Sequence, residues 1–468
     1  MTKSLTMLFL LLVLIADISQ AETVLDNYVN QALQNNLALQ QQQFSFEESI
    51  ASLKQVRGMF LPSLTASTRY TRAGGGRAIS FPIGDLINPI HQSLNQLLGQ
   101  PAFPGNLENE QTSFLRKEEQ ETKLRLAQPI FQPRLYYNYK IASNLKDVKK
   151  AERDVLARQL VAEVKTAYFR SLAAVQVVEL LEKTQALLDE NLRVSQSLYD
   201  NQKVTREVIY RAEAELSELT QSRAEANKNM QLAAAYFNFL LNRQLDAMVE
   251  IMSPGALPVY PELSHTEAVV LAGRNREELR QVNMGVAAAG NRVKLSRMSF
   301  VPGVSFLLDY GVQGDQYRFK ADDDFWMASL VLEWNLFNGF QDKYEVRKAK
   351  LERRRLMAQL TELEKQIQLQ VREAYDNLIV AQETMTAASD RVKAARSSFD
   401  IVESKYHQGL SPQIEYLDAR TTMTQAEINQ IITTYNYHIR YAELERVAAL
   451  FPINIEVGGK LQYSMEEQ

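Results

Sequence analysis

The chain has no cysteine among its 468 residues. That removes disulfides, thiolate metal sites, thiol nucleophiles and any lipid anchor on an N-terminal cysteine. It also lacks long apolar runs. After Ile15 no segment reaches the roughly 20 uncharged apolar residues that a membrane-spanning helix needs, so a membrane-resident form of this chain crosses as strands. Charge of one sign is missing as well. The formal net charge is −4, and no basic patch points to nucleic acid. The four histidines, His91, His265, His407 and His438, are scattered without metal-ligand spacing. Gly74–Gly76 has neither the lysine nor the strand–turn–helix setting of a phosphate loop. No catalytic constellation, cofactor motif or metal motif emerges, and the reading is of a protein that is not an enzyme.

Proline and glycine are absent from two very long stretches, Tyr136 to Asn201 and Gln341 to Gln408. Both are rich in Ala, Leu, Glu, Gln, Lys and Arg, the good helix formers. At 1.5 Å per residue each predicts a rod of about 100 Å, far beyond the usual globular helix. Each is followed, after a short break, by a second predicted helix: Arg206–Asn242 and Gln413–Ala449. The breaks fall at Asn201–Thr205 and at Gly409-Leu410-Ser411-Pro412. At the N-terminus, Lys3 precedes an apolar run from Leu5 to Ile15, and Ser19-Gln20-Ala21 follows. This is the pattern of a secretory signal peptide covering 1–21.

The central feature is an internal duplication. Lys54, Arg57, Phe60, Pro62 and Tyr70 match Lys294, Arg297, Phe300, Pro302 and Tyr310, and Asn35 matches Asn275. Further on, Leu124, Leu126 and Phe131 match Leu330, Leu332 and Phe337. Val164, Ala167, Tyr168, Ala174, Tyr199 and Ala212 match Val371, Ala374, Tyr375, Ala381, Tyr406 and Ala419. The offset shrinks because the first copy carries roughly 33 extra residues between its strands, an insertion of the kind loops tolerate. One helix–strand–strand–helix–helix unit therefore occurs twice. The boundaries are 22–250 for the first repeat, 251–263 for a linker marked by Pro254, Pro258 and Pro261, 264–450 for the second repeat, and 451–468 for a tail. The opening helices are expected over 22–59 and 266–299, each ending toward a proline.

Strands are expected at about 62–73, 122–132, 301–312 and 325–337. In the first, Leu64, Ala66, Thr68 and Tyr70 alternate with Ser63, Thr65, Ser67 and Arg69. That is period two, suited to a wall with lipid on one side and water on the other. A soluble antiparallel sheet alternates in the same way. Trp326 and Trp334 fall on one side of the last strand. Their separation of about 26 Å suits aromatic anchors at two membrane interfaces. Four strands cannot close a barrel, and open edges are not tolerated in lipid. Several chains must share one barrel; three would supply twelve strands, and two or four satisfy the same argument.

Together, Phe60-Leu61-Pro62-Ser63-Leu64, Phe300-Val301-Pro302-Gly303-Val304, Gln128-Pro129-Ile130-Phe131, Trp334-Asn335-Leu336-Phe337-Asn338-Gly339, and Tyr406-His407-Gln408-Gly409 continuing to Tyr416-Leu417-Asp418-Ala419 resemble the TolC-like outer-membrane factors of export pumps. The resemblance covers nearly the whole mature chain. It implies a mainly α chain with transmembrane β: a homotrimer with a twelve-stranded barrel, four strands per chain, continuous with an α-helical periplasmic tunnel. It implies a periplasmic adaptor, an inner-membrane transporter and outer-membrane lipid as partners. It further implies a passive export channel gated at its periplasmic tip, with Tyr406 at the constriction and Glu415 and Asp418 just beyond. The hairpin tips Gln202, Lys203, Val204, Gly409, Leu410 and Ser411 would meet the adaptor. In this family an Arg–acid pair locks the gate; here those positions hold Ser411 and Val208, so Lys203 or Arg206 is expected to pair with Glu415 instead.

Glu415 and Asp418 share a helix face by spacing, which equally describes a solvated acidic face. The insertion, residues 73–116, is unexpectedly apolar for a loop, with Ile79, Phe81, Ile83, Leu86, Ile90, Leu94 and Leu97. It is expected outside the cell, folding over the barrel mouth or packing on its copies as a lid. The competing reading of the whole chain is a secreted coiled-coil scaffold or adhesin. Cargo is not legible, because drugs, metal ions and proteins all leave through ducts of this type.

Overall fold

The structure is a computed structural model and describes residues 24–252, 257–316, 323–451 and 453. The expected signal peptide and most of the expected tail lie outside the described residues. Helices α1 (Val24–Asn35) and α2 (Leu37–Gly58) open the chain. They are followed by β1 (Ser63–Arg72), β2 (Ala78–Phe81), α3 (Ile83–Leu98), β3 (Glu110–Ser113), β4 (Glu118–Phe131), α4 (Pro133–Asp200) and α5 (Glu207–Leu240). The second repeat supplies α6 (His265–Asn275), α7 (Glu277–Arg297), β5 (Gly303–Gly314), β6 (Asp324–Glu333), α8 (Gln341–His407) and α9 (Gln413–Ala448). The chain divides into two compact units. One is Ser52–Ala142 with Gly290–Lys350, and the other holds the remaining described residues.

In the first unit, β1, β4, β5 and β6 form one antiparallel sheet in that order. Leu64 pairs with Leu126, Leu126 with Leu308 and Leu308 with Ala328; Ala66, Leu124, Tyr310 and Trp326 form the next row. One face is therefore apolar across all four strands. Its residues are exposed: Leu64 is 69% exposed, Leu330 72% and Trp326 73%. The other face carries Thr65, Arg125 and Asp309 in one row. The Arg125 guanidinium donates to both Asp309 oxygens at 2.7 and 2.6 Å. β1 and β6 are the outer strands of the sheet, and among the described residues each has one edge unpaired.

Three sequence expectations need correction. The opening helices are each broken in two, at Asn36 and at Arg276. Asn36 turns its side chain onto the chain, donating to Leu240 O and accepting from Leu39 N. Arg276 reaches Val447 O and Glu278. β4 begins earlier, at Glu118, because Arg69 and Arg72 meet Glu121 and Glu118 across the pair. β6 ends at Glu333, so Trp334 lies one residue beyond the strand. Its indole N–H donates to Phe300 O at 3.2 Å, and the segment after it turns to cap α8 through Asn335 and Asn338.

In the second unit the duplication is written into the core. One apolar cluster contains Ala268, Ala272, Leu279, Ile367, Val371, Ala374, Leu444, Val447 and Ala448. Each has its repeat-related counterpart in another cluster: Tyr28, Ala32, Leu39, Leu160, Val164, Ala167, Phe237, Leu240 and Leu241. The lateral order of the long helices is α5–α4–α9–α8. Arg223 of α5 bonds Gln185 of α4, Gln413 of α9 bonds Asn191 of α4, and Arg396 of α8 bonds Glu427 of α9. Apolar residues are exposed on the two outer helices, with Leu232 and Phe239 on α5 and Leu369, Val380 and Ile401 on α8. Among the described residues no helix is long and apolar enough to cross a membrane.

Candidate functional site: the helical tip

The two hairpins turn by the same device. At the end of α4, Gln202 N–H bonds Tyr199 O and Lys203 N–H bonds Leu198 O; at the end of α8, Gly409 N–H bonds Tyr406 O and Leu410 N–H bonds Lys405 O. Both turns put one residue in the left-handed region, Gly409 at φ 74° and Gln202 at φ 60°. Such a turn closes the orphan carbonyls of a helix end and favours glycine. The first tip accepts glutamine at a local cost of about 1 kcal/mol.

Tyr406, on the last turn of α8, stacks on Tyr416 of α9 with ring centroids 4.8 Å apart and planes at 23°. Tyr416 also tilts against Phe399. Burial pushes the Tyr416 phenol above its usual range. Glu415 and Asp418 are both exposed on the first turns of α9. Glu415 accepts the Ser411 hydroxyl at 2.6 Å. Within the chain neither Lys203 nor Arg206 meets Glu415, and Arg206 lies instead over the Tyr210 ring. Gln202, Lys203, Gly409 and Leu410 are exposed and Val204 is half-buried. Ser411 is buried and engaged with Glu415, so it is not presented on the surface with the others.

The structure adds residues that sequence reasoning missed. Gln413 Nε2 donates to Asn191 Oδ1 at 3.2 Å and to Ser195 Oγ at 3.0 Å. Arg420 Nη2 donates to Thr184 Oγ1 at 3.2 Å. All five are buried. These contacts cross between α4 of the first repeat and α9 of the second, forming two polar rungs at heptad spacing on both helices. Gln413 Oε1, Arg420 Nε and Thr424 Oγ1 remain without a hydrogen bond. The signal was available: polar residues recurring every seven positions on facing helices mark a seam whose register is set by polarity at some expense of stability. Beside the upper rung lies a cavity of about 410 Å³, lined by Thr184, Glu215, Glu218, Arg420 and Thr424 among apolar side chains. Burial and the neighbouring Glu218 raise the Glu215 carboxyl above the usual range.

This duplicated chain thus combines a sheet that is apolar on an exposed face with paired long helices ending in a tip. Residues 268–449 match the family model described as outer membrane efflux protein. The chain is 20% identical to outer membrane protein TolC of Salmonella enteritidis over 457 residues, spanning 92% of this chain and 82% of that one. Its fold is that of the Campylobacter jejuni CmeC outer-membrane channel, with TM-score 0.74, 16% identity, and 91% and 85% of the two chains covered. The Neisseria gonorrhoeae MtrE outer-membrane channel in its open state gives TM-score 0.72 and 18% identity, with 91% and 88% covered. The chain is thus similar in sequence to an outer-membrane efflux protein over its second repeat and similar in fold to outer-membrane channels over nine-tenths of its length.

Proposed function

We propose that three copies of this chain form a passive export duct: a twelve-stranded barrel joined to a helical tunnel, taking substrates from a periplasmic adaptor and an inner-membrane transporter to the exterior. The observation that carries this reading is that the chain ends in unsatisfied edges at every level. Among the described residues β1 and β6 have free edges, and α5 and α8 expose apolar residues. Open strand edges are not tolerated in lipid, so neighbouring copies must complete the wall. The apolar sheet face meets lipid and the Arg125–Asp309 face meets water. Trp326 and Trp334 mark the two ends of the apolar band.

The duct closes at the tip. Glu415 and Asp418, repeated around a threefold axis, make acidic rings that favour cations. The rungs from Gln413 to Asn191 and Ser195, and from Arg420 to Thr184, hold α9 against α4. They serve as the lock that the family's Arg–acid pair provides elsewhere. The exposed tip residues Gln202, Lys203, Gly409 and Leu410 receive the adaptor.

The experiment is conductance in planar bilayers, with oligomeric mass measured in detergent. A trimer with small, cation-selective conductance is expected. Because the chain has no cysteine, Asn191→Cys with Gln413→Cys can be bridged by a short bifunctional thiol reagent. Bridging should hold the channel in its low-conductance state, while Gln413→Ala should raise conductance. A monomer that never conducts overturns the duct. A conducting trimer indifferent to both manipulations overturns the lock.

A further inference from the structure

The insertion between β1 and β4 is built inside out. Helix α3 turns its polar residues toward its own return loop and leaves its apolar residues uncovered. Asn88 donates to Leu107 O at 2.9 Å and accepts from Leu107 N at 2.8 Å. Asn95 does the same with Phe103, at 2.7 and 2.9 Å. His91 Nδ1 lies 2.6 Å from Pro104 O, and Asn109 joins both the side chain and the backbone of Asp85. Gly84 lets the loop come this close, since a Cβ there would stand 2.0 Å from Leu107 O. Opposite this stitched side, Leu86 is 66% exposed, Ile90 58% and Leu97 83%, with Ile83 and Leu94 completing the stripe. A helix in water does the reverse, burying its apolar stripe and solvating its polar face. Polar groups satisfied inside and apolar groups outside is the arrangement that a nonpolar solvent imposes.

We infer that the apolar stripe of α3 lies in the outer leaflet of the membrane that holds the sheet. Three observations select lipid as the occupant. First, the stem is continuous with the lipid-facing wall: β1 ends at Arg72 and β4 begins at Glu118. The two arms stay paired through Ala73 N–H to Lys117 O and Phe114 N–H to Arg77 O. Second, exposed cations stand at the end of the stem nearest the sheet: Arg77, Arg116 and Lys117, with Arg72 paired to Glu118 and with Asp315, Asp323 and Asp324 beside Arg116 and Lys117. Cations at the headgroup level beside an apolar helix face are the signature of an interfacial helix. Third, α3 carries a single formal charge, Asp85, already bonded to Asn109. The stripe thus enters the leaflet without burying charge. The insertion becomes an anchor that grips the outer surface, rather than a lid over the mouth. The inference rests on outer-membrane residence and not on the gated duct.

The test uses the full chain, which has no native cysteine. Ile90→Cys, Leu94→Cys and, on the flank away from the stripe, Gln96→Cys are each labelled with an environment-sensitive fluorophore. The labelled proteins are reconstituted in vesicles of phosphatidylethanolamine and phosphatidylglycerol containing brominated lipid. Heat-sensitive oligomer migration confirms folding of each. Quenching by the brominated chains should be several-fold stronger at 90 and 94 than at 96, iodide in the buffer should show the opposite order, and omitting phosphatidylglycerol should weaken the lipid quenching. Equal iodide access at all three positions overturns the inference. So does efficient thiol cross-linking between protomers at position 90 without lipid quenching, which would mean that copies of α3 cover one another.

Discussion

Helices α4 and α8 are repeat-related and almost the same length, yet they live in different surroundings. α4 buries 21 of its 68 residues, including Arg153, Arg158, Lys165, Thr184 and Asn191. α8 buries Ala349 and a single narrow seam, Ile367, Val371, Ala374, Ala381, Ala388, Val392 and Phe399, and no charged residue. The reason is position in the lateral order. α4 has α5 on one side and α9 on the other, so the second repeat closes over it: Lys165 reaches Glu445 at 2.7 Å and Arg158 clasps Glu277 at 2.8 and 2.7 Å. The Phe451 ring lies under both cations. α8 has a neighbour on one side only. The same duplicated helix is thus a core element in one copy and an edge in the other, where Leu369 and Val380 stand exposed.

The largest test of this comparison is charge removal at equivalent positions. Lys165 and Arg372 correspond in the duplication. Lys165→Met leaves Glu445, 5% exposed, as an unpaired buried carboxylate, at a cost of about 3–5 kcal/mol. Arg372→Met breaks an exposed pair with Asp376 on the same helix, with a cost of about 0.3–0.5 kcal/mol. Thermal unfolding of the two variants should differ by many degrees. Equal losses would show that the two helices are equally enclosed and would break the comparison.

A second contrast lies in pH. His438 on α9 is stacked on Phe169 with centroids 5.1 Å apart and lies 3.1 Å from the Tyr260 hydroxyl. Burial lowers its pKa from 6.5 to about 4. A base whose folded pKa is depressed binds its proton more readily when unfolded, so stability is full above about pH 6.5 and declines as pH falls toward about 4. The unfolding midpoint should drop across that window, and His438→Gln, which restores the residue type found at the repeat-related Gln231, should flatten the drop. An unchanged slope would assign the acid sensitivity to other groups.

Much of this architecture was legible in the sequence because it is periodic. Alternation placed the four strands, and the absence of Pro and Gly placed α4 and α8 within a few residues. The shared offsets relate the two repeats, and nine residues of one core cluster fall at the offsets of nine in another. What was illegible was decided by single side chains. Asn36 and Arg276 break helices by bonding distant carbonyls, and Trp334 leaves the strand because Asn335 and Asn338 turn the chain. At the tip, Gly409 was visible as a turn and Tyr406 as its neighbour. Asn191, Ser195 and Gln413 become a seam only through the facing helix, which their own segments do not identify. The inside-out character of α3 was half legible: its apolar content was plain, but which face it presents depends on hydrogen bonds from Asn88 and Asn95 to the return loop.

The smallest expected effect sharpens the comparison at the tips themselves. Gln202 and Gly409 occupy the same left-handed position in turns with the same hydrogen bonds. A Cβ at Gly409 meets nothing within 4 Å, so Gly409→Ala tests backbone conformation without a clash and should cost about 1 kcal/mol. Gln202→Gly relieves strain of similar size, while the greater freedom of glycine in the unfolded chain offsets part of it. The net gain should be a few tenths of a kcal/mol. Hydrogen exchange at Lys203 and Leu410, whose amides close the two turns, reads both changes locally. Faster exchange at Leu410 in the first variant and slower exchange at Lys203 in the second are expected. Unchanged or faster exchange at Lys203 in Gln202→Gly would mean that the first hairpin holds its turn by contacts beyond its own backbone.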